Sequence, residues 1–163
     1  MDLRERIIWI LINTGWILLG SLLNIFYPNI FSINNLLPNF LIIFSVIISF
    51  NEGFIDVMPI IILGGIIDSI WRWINPGINT LSLIVACGMI YFIFHRLWKS
   101  RWTVILSVFL ATIIYFLISY PLIYTERIGI FTYSDALNFG LIQGLYNTFW
   151  CSIFILFVKS FSR

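Results

Sequence analysis

The chain has 163 residues, of which 61% are hydrophobic, 18% aromatic and 10% charged, with a formal net charge of +2 and a mean hydropathy of +1.03. A soluble domain carries about a quarter charged residues, so this composition excludes a water-soluble globule, and so small a net charge gives no footing for nucleic-acid binding. Recurrent long apolar runs instead define an all-α integral membrane protein, with residues 1–163 forming a single helical membrane domain.

The opening stretch, MDLRERIIWILINTGWILLGSLLNIF, places basic residues before an apolar run that is too long for a signal-peptide core and lacks a small-residue cleavage pattern. An uncleaved first helix is expected, from about Ile7 to Phe26, ending at Tyr27-Pro28-Asn29. Asn13, Gly20 and Asn24 form a weak small-and-polar stripe along it. The second segment begins near Pro38, which suits a first helical turn, and ends at Asn51-Glu52-Gly53. Its length, about 20 Å of helix, is short against a hydrocarbon core of about 30 Å. The third segment starts around Asp56, holds Pro59 in its first turn and ends near Trp73. After a turn at Pro76-Gly77 the fourth runs from Ile78 to about Phe94, the fifth from Trp102 to about Leu122 and the sixth from Leu137 to Val158. Glu52 and Asp56 read as turn and capping residues. The polar stretch from about Ile123 to Ala136 is too small for a core of its own.

Six crossings with the N-terminus in the cytoplasm put Arg4, Arg6, Arg96, Lys99, Arg101, Lys159 and Arg163 inside, and Arg72 and Arg127 outside. That asymmetry obeys the positive-inside rule and predicts an even number of crossings with both termini cytoplasmic. It does not separate two full crossings by segments two and three from a re-entrant hairpin. His95, with Arg96, Lys99 and Arg101, forms a basic cluster suited to anionic headgroups of the lipid bilayer.

Asp68 is the sharpest feature, because an ionisable residue in an apolar helix costs a few kcal/mol and marks a candidate site. Arg72 follows four residues later, so an ion pair near the outer surface is expected, with ligand binding and proton or hydrolytic chemistry as competing readings. Gly64 and Gly65 precede it and suit close helix packing. On the sixth segment Gly140, Gly144, Asn147 and Cys151 recur at spacings of four, three and four, a stripe typical of a helix–helix contact, internal or with another protein. Gln143 lies off that stripe. Cys87 and Cys151 read as small packing residues, and one histidine supports neither a metal site nor a Ser/His/Asp set. No catalytic residue, metal or cofactor is expected.

The run from Pro38 to Phe92, with Pro38, Gly64, Asp68, Pro76, Gly77 and Asn79 in order, resembles the rod shape-determining MreD family. That family has a proline-led second helix, an apolar G-x-x-x-D third helix and a proline–glycine turn before a polar start of helix four. This chain departs from it in the bulky Trp71-Arg72-Trp73 before an adjacent Pro-Gly. The resemblance covers about a third of the chain in specific features. It implies a non-enzymatic inner-membrane component of the bacterial cell-elongation machinery, working with MreC, RodA and its penicillin-binding protein, and MreB, to support sidewall peptidoglycan synthesis and cell shape. Asp68, Arg72, Gly140, Gly144 and Asn147 are then the candidate partner-binding residues. Two other readings compete. The substrate-binding subunits of energy-coupling-factor vitamin transporters are similar in fold to that family, and a pocket in this chain would draw on Asp68, Arg72, Glu126 and Arg127. An intramembrane aspartyl hydrolase resembling lipoprotein signal peptidase would need Asp56 or Asp135 to share a site with Asp68.

Overall fold

The computed structural model describes residues 3–26, 37–72, 75–94, 100–126 and 133–156. Among them are six helices and no strand: α1 (Leu3–Phe26), α2 (Phe40–Glu52), α3 (Phe54–Arg72), α4 (Pro76–Phe94), α5 (Arg101–Glu126) and α6 (Tyr133–Ile155). Three helical stretches, Ile7–Ile25, Pro76–Phe94 and Arg101–Ile123, are long and apolar enough to cross a membrane. The protein is therefore an all-helical membrane protein.

The architecture follows from α2. Every residue from Phe40 to Phe50 is buried, as expected of a helix that is apolar all round. α2 touches each of the other five helices. Around it α1 packs on α3, α3 on α4, α4 on α5 and α5 on α6. Among the described residues α6 and α1 make no comparable contact, so there the wall around α2 opens between them. The outward faces are apolar, with Leu11, Ile12 and Leu22 of α1, Ile70 of α3, Phe92 of α4 and Leu145 of α6 all exposed. Exposed apolar area on this scale fits lipid rather than water.

Consecutive helices alternate in direction. Trp9 Nε1 donates to Glu52 Oε2 at 2.6 Å, while at the other end of the same pair Asn24 reaches Asn39. Gly53 alone separates α2 from α3, and its φ of 103° is a left-handed value that glycine adopts without a Cβ penalty. Gly65 faces Thr80 on α4, and Phe54 lies 6.1 Å from the Tyr91 ring, so α3 and α4 also run oppositely. Gly140 faces Ile113 and Phe116 whereas Gly144 faces Phe109, which fixes α5 and α6 as antiparallel.

The helix boundaries differ from the sequence expectation in two informative places. α4 starts at Pro76, not Ile78, because Asn75 caps it: the Asn75 Oδ1 accepts from the Gly77 amide at 3.0 Å, and proline at the first helical position needs no amide donor. Pro76-Gly77 is thus the first turn of a helix rather than a free turn. α5 continues through Pro121 to Glu126, past the expected stop at Leu122, as membrane helices tolerate proline where neighbours satisfy the freed backbone groups. The far end of the sixth segment, toward Val158, lies outside the described residues.

Glycines allow the closest approaches. A methyl group on Gly20 would sit 2.8 Å from Phe44 Cδ2 and 3.2 Å from the Phe40 carbonyl oxygen, while one on Gly15 would meet nothing within 4 Å. Gly20→Val is therefore expected to destabilise the protein by about 1–3 kcal/mol through overpacking. Gly15→Val, on the open face of the same helix, should leave stability within about 0.5 kcal/mol of the parent. Unfolding in mixed micelles compares the two directly.

Candidate functional site

A helix that begins inside a protein presents backbone N–H groups with no intrahelical acceptor. In a membrane interior no water supplies one, and each unmet group costs several kcal/mol. The start of α2 is such a place, since Pro38, Asn39 and Phe40 are all buried. Three asparagine side chains meet the need. Asn39, the N-cap, accepts from the Ile42 amide at 3.3 Å. Asn24 of α1 accepts from the Phe40 amide at 3.0 Å. Asn147 of α6 accepts from the Asn39 amide at 2.8 Å. Gln143, one turn before Asn147, donates to the Leu37 carbonyl.

From this end the bonding spreads to the remaining helices. The Asn24 amide donates to Asn39 Oδ1 at 3.3 Å and to Asp68 Oδ1 at 3.5 Å. The second Asp68 oxygen accepts from Asn79 Nδ2 of α4 at 3.2 Å. The same Asn79 nitrogen reaches Ser69 Oγ at 2.8 Å and the Gly65 carbonyl at 3.2 Å, and Asn79 Oδ1 accepts from the Tyr115 hydroxyl of α5. Asn147 Nδ2 donates to Thr112 Oγ1 at 2.9 Å, whose own hydroxyl returns to the Val108 carbonyl at 2.8 Å. All six helices contribute to one polar knot, and Asp68, Ser69 and Asn147 within it are fully inaccessible.

Asp68 thus sits one amide group from the N-terminus of α2. The positive end of a helix dipole favours an acidic group there, and two amides donate to its two oxygens. Asp68 is fully buried inside the bundle, and Asn24 and Asn79 are among its partners. Arg72 ends α3, and its side chain lies outside the described residues, as do Glu126's and the whole of Arg127. Asp56 and Asp135, the carboxylates a hydrolase would need beside Asp68, are both exposed.

The sixth-helix stripe is an internal surface. Gly140, Gly144, Asn147 and Cys151 are all buried, and a methyl group on Gly144 would lie 2.9 Å from Phe109 Cδ2 and 3.3 Å from the Phe109 carbonyl oxygen of α5. Of the five candidate partner-binding residues, then, Asp68, Gly140, Gly144 and Asn147 all serve contacts within the fold. Sequence reasoning missed Asn39 and Tyr115 and assigned Asn79 no single role. One signal was available: under the alternating topology Asn24, Asn39, Asp68 and Asn79 all fall within about a turn of the same end of their helices.

No family model matches the chain, no curated protein matches it, and no solved structure matches it.

The knot is cooperative by construction. Tyr115→Phe removes one donor and should cost about 0.6–1.7 kcal/mol, the range for interhelical hydrogen bonds in membranes. Asn79→Leu takes a partner from both the acid and the hydroxyl and should cost about 2–4 kcal/mol. Because both changes break the same bond, the double variant should fall short of their sum by more than 0.5 kcal/mol. A double-mutant cycle in mixed micelles measures the shortfall, and strict additivity would show that the two side chains do not interact.

Proposed function

We propose that this protein is a non-enzymatic, multi-pass component of a bacterial inner membrane, crossing it six times with both termini cytoplasmic, and that it acts by binding MreC within the cell-elongation complex. One observation carries the proposal. The residues of the MreD-like pattern, scattered over about forty positions of sequence, build one structural unit. Pro38 leads into the buried α2 start, Gly64 lies against Ile17 and Leu41, Asp68 accepts from Asn79, and Pro76 opens the helix that carries Asn79. A pattern that specifies helix packing rather than a reacting group suits a scaffold. The alternation of helix direction and the collection of Arg4 and Arg101 at one end agree with cytoplasmic termini under the positive-inside rule.

In this reading the knot holds the bundle in shape, and the partner-facing surfaces are the outward, apolar sides of the helices around α2. MreC's membrane helix docks there, and RodA with its penicillin-binding protein, and MreB, join through the assembled complex. Gly144 and Asp68 then influence MreC only through the fold.

A second reading draws on the same knot. A substrate-binding subunit of an energy-coupling-factor transporter requires convergent polar groups, and here asparagine, glutamine, tyrosine and aspartate do converge. They bond to one another, however, and so form a closed support rather than an open pocket.

Purification of the tagged protein from its own host after crosslinking in the intact cell separates the two. The scaffold reading predicts recovery of MreC together with RodA or its penicillin-binding partner. Recovery of paired ATPases with a coupling membrane subunit, without MreC, would overturn it in favour of the transporter.

A further inference from the structure

The opening in the wall around α2 is a shaped cleft of about 590 Å³, within the range of about 300–1,000 Å³ typical of ligand sites. Its floor is Phe44, Ile47 and Ile48 of α2, and its α1 side is Ile12 and Trp16. Toward the middle of the bundle aromatic rings close it: Phe44 lies 5.5 Å from Trp16 and 5.1 Å from Phe154 between ring centroids. The opposite end is polar, with Asn13, Asn51 and Glu52. Exposed Glu52 is held in place by the Trp9 indole on one oxygen, and a carboxylate offers about four acceptor positions, so acceptor capacity remains.

Depth and charge together select an occupant. From Phe44 to Glu52 the cleft follows α2 for about 12 Å, which is most of one leaflet's half of a hydrocarbon core about 30 Å thick. A partner's transmembrane helix runs the full thickness and would meet the aromatic closure; a lipid acyl chain from one leaflet ends there. The polar end carries an acid and two amides, and it lies on the side of the bundle where α1 begins with exposed Arg4. A headgroup that bears both an ammonium and a phosphate matches that pairing, the ammonium on Glu52 and the phosphate toward the arginine. We infer that the α1–α2–α6 cleft is a binding site for one acyl chain of an amine-bearing phospholipid, with its ammonium on the Glu52 carboxylate.

This site is separate from the polar knot and from any protein partner, so its test stands apart from the scaffold proposal. The full-length protein is placed in nanodiscs of equal parts phosphatidylethanolamine and phosphatidylglycerol with matched acyl chains, then released for native mass spectrometry. The parent should retain one phosphatidylethanolamine in preference to phosphatidylglycerol by about fivefold, the discrimination expected of one interfacial ion pair. Glu52→Gln keeps an acceptor for Trp9 but removes the charge, and should bring the ratio near one while lipid is still retained. Ile12→Trp, at an exposed position on the cleft wall, should abolish retention of both lipids with thermal stability unchanged. Equal retention of the two lipids by the parent, or an undiminished preference in Glu52→Gln, would overturn the inference. So would photocrosslinking from position 12 in cells that captures a protein helix and no lipid.

Discussion

The fold depends on satisfying the amide groups at the start of a helix that water never reaches. α2 is buried from Phe40 to Phe50, and its first turn lies among apolar helices rather than at a surface. Amides left bare there would cost more than the stability margin of a typical domain. Asn24, Asn39 and Asn147 accept from three of those groups at 2.8–3.3 Å. Because these acceptors come from the first helix, the cap itself and the last helix, the bonds also set which helices stand beside α2. Between apolar helices in lipid there is no hydrophobic force to choose neighbours, so close packing and polar bonds make that choice. Here the glycines allow the approach and the asparagines select the partner.

This arrangement changes the meaning of the acidic residue. In the sequence Asp68 is conspicuous as an ionisable residue in an apolar helix, with Arg72 four residues later on the same helical face. In the fold its two oxygens accept from amides on α1 and α4 beside the positive end of α2. An ionisable group in a membrane protein is often read as chemistry waiting for a substrate. Asp68 links the α2 cap to the α3–α4 hairpin, and a variant at this position should be interpreted first through stability.

Much of the architecture was legible before the structure. Six apolar segments bounded by Pro, Asn and charged residues became six helices, and the stripes Asn13–Gly20–Asn24 and Gly140–Gly144–Asn147–Cys151 became the buried faces of α1 and α6, since helical periodicity is local information. What a stripe meets is not local. Gly140 and Gly144 meet α5, and Asn147 reaches both α5 and the α2 cap across more than a hundred residues of chain. Pro76 reads as part of a turn because proline breaks a helix by default, but Asn75 caps the helix that it opens. The lateral cleft was invisible, because it exists only where α6 fails to close on α1.

Two surfaces with different chemistry result. The sealed knot ties the six helices together, and the open α1–α6 side gives the bilayer access to α2. The most direct test of the central claim is hydrogen exchange of the backbone amides of Asn39, Phe40 and Ile42 in the intact protein in lipid nanodiscs. If side-chain acceptors from α1, α2 and α6 cap this buried end, these amides should exchange as slowly as those in the middle of α2, and Asn147→Leu should speed the Asn39 amide most. Rapid exchange at all three in the unaltered protein, like that of a frayed helix end in water, would contradict the account.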